Sequence, residues 1–485
     1  MASTTTYPSG LPKKELNSSD DDATEPVSGH RGILQGANAA RGSASKEKIS
    51  DVPDYSDSER QKTEAGEAFF RRLGWKRLTV VLIVNAIALG SLSLPAAFAT
   101  LGMVAGVVAC VGMGLLAIYT SHIIGLVKLK FPTVDHYGAA MGLLFGRYGR
   151  FGFELGSAMF VVELILLVGS HCLTGTIAFS HITESGVCSV AFGVVSAIIL
   201  LLLAIPPSFT EQAILGYIDF ASILGAIGIT MVATGIRSHQ EMINESTWSA
   251  WPKPGTTFIE GFVAITNIVF AYSFAMCQFT FMDELKKPAD YVKSIWALGI
   301  IEIIIYTLTG AIVYAFVGVD VQSPALLSAG DMTSRVAFGV ALPVIFISGS
   351  INITVAGRYI HGRIFRHSIT RFVNTPKGWI TWLAIITIIT ILAFITAEAI
   401  PIFSDLLSLC SSLFVSGFSF YLPALMWYKM IKQGRWYDRK NLVHSLLCAL
   451  AFVVGLVVLG CGTYASIVDI RDNFRNGTVK QVFAC

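Results

Sequence analysis

The chain has 485 residues, of which 53% are hydrophobic and only 14% charged, with a mean hydropathy of +0.64. Soluble domains carry about 25% charged residues, so the composition excludes an ordinary soluble fold and points to a chain with the lipid bilayer as its solvent. The net charge of +3 is uninformative as a total, and where the charges fall is more telling; no nucleic-acid partner is expected.

Residues 1–70 hold twelve of the 32 acidic residues, eight of the 35 basic ones and ten serines, with almost no apolar cluster. Such a segment cannot bury enough surface to offset its chain entropy, which predicts a disordered cytoplasmic tail. No apolar h-region follows the basic start, so the first span is expected to act as the insertion signal. Lys13, Lys14, Lys46 and Lys48, with Ser18, Ser19, Ser56 and Ser58, offer sites for modifying enzymes that would regulate turnover. A plain solvated tail is the alternative.

A crossing helix needs roughly 20 largely apolar residues. Eleven stretches qualify, at about 78–99, 103–127, 152–180, 189–206, 213–236, 257–283, 294–317, 335–362, 379–399, 402–428 and 443–468. Residues 71–468 then form an all-α transmembrane domain and 469–485 a short outer tail. Gly102 supplies the tight turn between the first two spans. With the N-terminus cytoplasmic, the short inner connections collect 21 Lys and Arg and the outer ones six, as the positive-inside rule requires. The odd span count places the C-terminus outside. All eight tryptophans lie near span ends, where amphipathic rings favour the interface. The sequons at Asn244 and Asn476 fall on the expected outer side. Cys110, Cys172, Cys277, Cys410, Cys448 and Cys461 lie in apolar runs and read as packing residues. Cys188 and Cys485 fall in polar connections, where a disulfide between them is open.

Two spans are interrupted. The first contains Gly90-Ser91-Leu92-Ser93-Leu94-Pro95 well inside its apolar run. Proline removes a backbone donor and clashes with the preceding turn. Freed backbone groups in hydrocarbon must be satisfied by protein or by a water-lined cavity. An ordinary proline kink with small residues at helix contacts is the plainer reading. The sixth span carries its own disturbance at Asn267, Tyr272, Ser273, Cys277 and Gln278, then Asp283-Glu284 at its inner end. Spans one and six are the equivalent members of two five-span units, and paired interruptions of this kind point to a midplane site in an inverted-repeat transporter. The symmetry is positional, without a residue-level repeat. A half-helix N-terminus suits a carboxylate, and unwound carbonyls suit an ammonium group or a cation. An amino acid zwitterion needs both.

Ionisable residues inside spans are functional candidates by default. Glu163 is the deepest, with Ser170 and Thr174 on its face and His171 turned about 80° away at 100° per residue. A low dielectric disfavours the charged form of a carboxyl, so Glu163 is the candidate to carry a proton; a hydrogen-bonded structural role is the alternative. Asp219 and Glu302 read as packing groups near the inner vestibule and His122 as interfacial. Asp283 and Glu284, beside Lys286 and Lys287, read as a cytoplasmic gate or as a solvated loop.

Asn85-Ala86-Ile87 followed by Gly90 to Pro95 resembles the first-helix motif of the amino acid/auxin permease family. Phe270-Ala271-Tyr272-Ser273-Phe274 with Asp283-Glu284-Leu285-Lys286-Lys287-Pro288 is similar to that family's sixth helix and its acidic exit. The stretches 69–94 and Ala204-Ile205-Pro206-Pro207-Ser208-Phe209 are similar to the fungal N-system neutral amino acid permeases. The resemblance implies a leucine-transporter-type fold of eleven helices in a five-plus-five inverted repeat. It also implies proton-coupled uptake of neutral amino acids, aromatic ones included, at the plasma membrane. By position it places Gly90, Ser91, Leu92 and Ser93 at the substrate carboxylate, with Asn85 near a cation position. Ala271, Tyr272, Ser273, Phe274 and Gln278 complete the pocket, and Ser348, Ser350 and Asn352 on the eighth helix are further ion-coupling candidates. No cofactor beyond the coupling ion is implied.

An amino-acid-sensing receptor on the same scaffold and sodium-coupled transport are the competing functions. A channel has no repeated pore-loop motif to rest on. An enzyme has no H-E-x-x-H, G-x-S-x-G, P-loop or metal spacing to rest on.

Overall fold

The computed structural model describes residues 74–477 and Phe483, apart from 185–186, 208, 241–247, 284, 367, 369, 371–372 and 374. Only the backbone is described for Asn85, Ala88, 209–214 and 239–240. The N-terminal tail, Asn244, Glu284 and Cys485 lie outside the described residues. Thirteen helical segments follow in order: α1 Trp75–Leu101, α2 Met103–Lys130, α3 Tyr137–Phe145, α4 Gly149–Thr183, α5 Ser189–Leu203, α6 Phe209–Gln240, α7 Phe258–Ala271, α8 Ser273–Asp283, α9 Tyr291–Val317, α10 Asp331–Ile364, α11 Pro376–Ala399, α12 Phe403–Ile431 and α13 Leu442–Arg475. No β-strand occurs among the described residues.

Among the described residues eight helices are long and apolar enough to cross a bilayer, and up to ten crossings result if each of two bent pairs counts as one. The expected fourth span is the exception. Its helix, α5, has 15 residues, about 22 Å at 1.5 Å per residue against a hydrocarbon core of about 30 Å. It stops because Pro206 and Pro207 follow: a residue before proline is pushed out of the helical region, and Ile205 leaves the helix. An eleventh crossing therefore rests on a short helix.

The turn between α1 and α2 is made by Gly102, whose φ of +83° is open to glycine at no steric cost. A Cβ there would meet the Trp251 carbonyl carbon at 2.5 Å. Among the tryptophans, Trp248, Trp251, Trp296, Trp379 and Trp436 are exposed as interface rings should be. Trp382 and Trp427 depart from that expectation: both are buried, and the Trp382 Nε1 donates to the Ile205 carbonyl at 2.9 Å. Trp382 caps the chain where α5 has run out. Polar glue between helices is visible at Thr266, Ser408 and Ser466, whose hydroxyls link α7, α12 and α13 at 2.6 Å each. Five of the six apolar-run cysteines are buried free thiols, Cys461 is half-buried, and Cys188 is disulfide-bonded.

Both expected interruptions are present, with one displacement. The sixth span bends by 43° between α7 and α8, through 3₁₀ turns over Ser273–Cys277. The first span bends by 52° between Val84 and Leu89. Gly90 to Ser93 is therefore not the unwound stretch; it is helical and follows directly on the bend.

Candidate functional site

The two bends face each other. A Cβ on Gly90 would lie 2.7 Å from the Ala271 Cα and 3.0 Å from its Cβ, so only glycine lets α1 approach the end of α7 this closely. Tyr306, fully buried on α9, sits at the junction. Its hydroxyl reaches the Ala86 carbonyl at 2.7 Å and the Ala271 carbonyl at 3.0 Å, and so ties both bent helices to a third. The Ser348 hydroxyl of α10 donates to the Val84 carbonyl at 2.7 Å, and Ser419 of α12 donates to the Tyr272 carbonyl at 3.2 Å. Hydroxyls inserted into the backbone ladder bend helices, and these satisfy carbonyls that hydrocarbon would leave unpaired. This explains why the α1 bend falls before Gly90. Pro95 weakens the helix, but the bend forms where neighbouring hydroxyls draw Val84 and Ala86 out of line.

The expected substrate residues converge here with unequal roles. Ser91, Leu92, Ser93, Ala271, Tyr272, Phe274 and Gln278 are buried and Ser273 half-buried. The Ser91 hydroxyl bonds the Ile87 carbonyl at 2.8 Å and Ser93 the Gly90 carbonyl at 3.0 Å, so both serve their own helix. The Tyr272 ring packs edge-on against Tyr306 at 5.3 Å, with its hydroxyl 3.4 Å from the Cys110 thiol on α2. Gln278 donates to the Ser121 carbonyl at 2.7 Å and braces α8 on α2. Of the ion-coupling candidates on α10, Ser348 reaches α1, while Ser350 and Asn352 bond carbonyls of their own helix. The Asn85 side chain lies outside what is described.

Three fully buried carboxyls surround the junction. Glu163 on α4 has no hydrogen-bond partner on either oxygen among the described residues. It acts electrostatically on Tyr137, Cys277, Cys410 and Tyr421, and Cys277 ends the 3₁₀ turns of the broken sixth span. Its face-mates Ser170 and Thr174 bond their own helix and form no relay with it. Asp219 on α6 lies 3.4 Å from the Ser348 hydroxyl, making a chain from carboxyl to hydroxyl to the Val84 carbonyl. Glu302 stands one turn before Tyr306 and acts on Tyr272, Tyr291 and Tyr306. Asp219 and Glu302 are thus both fully buried, with Asp219 partnered at the α1 bend. Their sequence signal is an acid inside an apolar run; Tyr306, which the sequence reading passed over, has none.

At the far end of α8 from the bend, Lys128 is almost wholly buried. Its ammonium contacts Asp283 Oδ1 at 2.5 Å, the Val134 carbonyl at 2.5 Å and the Pro132 carbonyl at 3.0 Å. This latch holds the end of α8 to α2 and to the loop after it, and gives Asp283 a role that a solvated loop would not have.

A multi-pass helical protein whose two bent helices meet in the interior, with carbonyls and carboxyls gathered round the meeting point, has the makings of a solute transporter. The sequence matches the family described as transmembrane amino acid transporter protein over residues 71–468, and the chain belongs to that family. The N amino acid transport system protein of Neurospora crassa is 60% identical over 428 residues, covering 87% of this chain and 90% of that protein. A transmembrane transporter of Fusarium pseudograminearum is 30% identical over 421 residues, covering 86% of this chain and 87% of that protein. A solved nucleobase-cation-symport-1 family transporter in a closed conformation aligns with a TM-score of 0.49 at 12% identity, over 85% of this chain and 96% of that chain. The first-helix and sixth-helix motifs therefore pointed to the right family, and membership in it sets the enzyme reading aside.

Proposed function

We propose that the protein imports neutral amino acids, aromatic ones included, by proton symport across the plasma membrane. The N-terminus is cytoplasmic and the C-terminus outside in this reading, with eleven crossings in a five-plus-five arrangement. The observation that carries it is the meeting of the α1 and α7–α8 bends, braced by hydroxyls from α9, α10 and α12. The substrate binds where Gly90 to Ser93 faces Ala271 to Phe274, and Gln278 braces the pocket floor against α2. Separating the bends to admit substrate frees carbonyls that suit the ammonium group. An ionised carboxylate buried without a partner is costly, so Glu163 takes a proton when the site is closed and releases it when the inner side opens. The match to a protein named an N amino acid transport system supports the amino acid substrate.

Sodium coupling is the second reading, favoured by the oxygens of Val84, Ser348 and Asp219 gathered at the α1 bend. Uptake of a labelled amino acid panel at two pH values, with and without sodium, separates the two. Proton symport predicts uptake that rises with external acidity and ignores sodium, and Glu163→Gln flattens that pH dependence. Uptake that follows sodium and ignores pH overturns the proposal, as does binding without accumulation, the behaviour of a sensor. An unchanged pH profile in Glu163→Gln removes Glu163 as the carrier.

A further inference from the structure

Away from the bends, at the cytoplasmic end in the proposed orientation, α2, α12, α13 and the loop before α13 line a half-open cavity of about 260 Å³. Its polar lining comes from His122, Lys432, Gln433, Asn441 and His444, and no carboxylate lines it. The apolar side is Trp427 with Ile123, Leu126 and Ile431. His444 is held in place: its ring stacks on Tyr119 at 6.0 Å and tilts against Trp427 at 6.1 Å. The Tyr119 hydroxyl occupies its Nδ1 at 3.0 Å, which leaves Nε2 as the ring nitrogen to meet a ligand. His122 is near enough to His444 for their charges to interact.

The loop that brings Lys432 to the cavity is itself ordered. Asn441 Nδ2 donates to the carbonyls of Gln433 and Arg435 at 2.6 and 3.0 Å, and the Arg435 amide donates to Asp438 at 2.8 Å. The one acid of the loop is therefore already engaged. Lys130 donates to the Met430 carbonyl at 2.6 Å and ties the end of α2 to the end of α12. The Lys432 ammonium, with no hydrogen bond or ion pair among the described residues, and two imidazoles thus share this space without a counter-charge. Lys429, Arg435, Arg439 and Lys440 stand around it in sequence. Beside the cavity, Leu442, Val443 and Leu446 on the first turns of α13 are exposed, and so are Trp436 and Tyr437. Aliphatic and aromatic surface of this kind meets lipid at the membrane interface.

We propose that this cavity binds the phosphate headgroup of an anionic phospholipid of the inner leaflet, with the acyl chains lying along Leu442, Val443 and Leu446. The fit is one of charge and of size. The Lys432 ammonium can give a charge-assisted hydrogen bond to a phosphate oxygen, the two imidazoles can add N–H donors, and basic pockets between helices on the cytoplasmic side suit acidic headgroups. The volume falls below the roughly 300–1,000 Å³ of sites that enclose a drug-sized ligand, so it takes a headgroup and leaves the chains outside. A bound headgroup would join α2, α12 and α13 across the end of the bundle next to the Lys128 latch.

The test is native mass spectrometry of the purified full-length protein with phosphatidylserine or phosphatidylcholine, alongside Lys432→Gln, His444→Gln and the off-cavity control Lys440→Gln. Loss of a basic residue near an anionic surface weakens attraction about fivefold wherever it lies. The expected result is selective retention of phosphatidylserine, reduced about tenfold or more by Lys432→Gln and no more than about fivefold by Lys440→Gln. Lys432 sits on a loop, so that variant keeps the test valid if His444→Gln fails to fold. Equal losses in Lys432→Gln and Lys440→Gln overturn the proposal in favour of diffuse surface charge. Equal retention of the two lipids overturns it outright. Displacement of phosphatidylserine by millimolar inorganic phosphate assigns the site to a free phosphate and overturns the lipid occupant.

Discussion

Replacing Tyr306 with phenylalanine removes one oxygen from the point where the two bent helices meet. The ring stays, so its edge-on packing against Tyr272 at 5.3 Å is kept and little volume is lost. What disappears is the hydroxyl that reaches the Ala86 and Ala271 carbonyls at 2.7 and 3.0 Å. A buried polar group left unsatisfied costs about 1–3 kcal/mol. One proton was shared between two acceptors, so the loss is counted once. Side-chain hydrogen bonds between membrane helices average about 0.6 kcal/mol and reach about 1.7, which brings the expected cost to about 1–2 kcal/mol, a factor of 5–30 in an equilibrium. Because the bond joins both bends to α9, the shift falls on the balance between closed and open arrangements. Tyr306→Phe is expected to reach the membrane in normal amount, to melt at lower temperature when purified, and to take up amino acid about 5–30-fold more slowly. Wild-type uptake together with a wild-type melting temperature would refute the tie, since the two carbonyls would then have other partners.

Gly90→Ala places a methyl 2.7 Å from the Ala271 Cα, and backbone cannot yield as a side chain can. Overpacking of this kind costs about 1–3 kcal/mol, so uptake should fall sharply while surface expression persists; normal uptake would show that the helices part readily at this point. Lys128→Met and Asp283→Asn each break the Lys128–Asp283 latch. Asp283 is about a third exposed, so its variant should melt nearer to wild type than Lys128→Met, while both speed efflux of preloaded substrate from proteoliposomes. Efflux at the wild-type rate in both would leave the latch as packing alone.

Local features of the chain were enough to reveal much of this. A run of about 20 apolar residues has few fates other than a crossing helix, and Gly102 between two such runs announces a turn. The sixth-span interruption was legible because polar residues cluster over Asn267 to Gln278, where the helix does bend. The family was legible because its motifs lie in those same two spans. Trp382 and α5 misled for complementary reasons: Pro206-Pro207 shortened the helix, and the exposed carbonyl of Ile205 then recruited a tryptophan that its position near a span end had marked as interfacial.

By itself the sequence determined an all-helical membrane chain, its family, and which two spans are disturbed, because hydrophobic length and backbone-breaking residues act within a few positions of where they stand. Only the tertiary structure decided where α1 bends and what holds the bend. The oxygens responsible belong to Tyr306 and Ser348, more than 200 residues along the chain from Ala86 and Val84, and a tyrosine or serine in an apolar run carries no mark of the carbonyl it will find. The same holds for Asp219 and Glu302, whose weight comes from total burial beside those bends, a property of packing that no local pattern encodes.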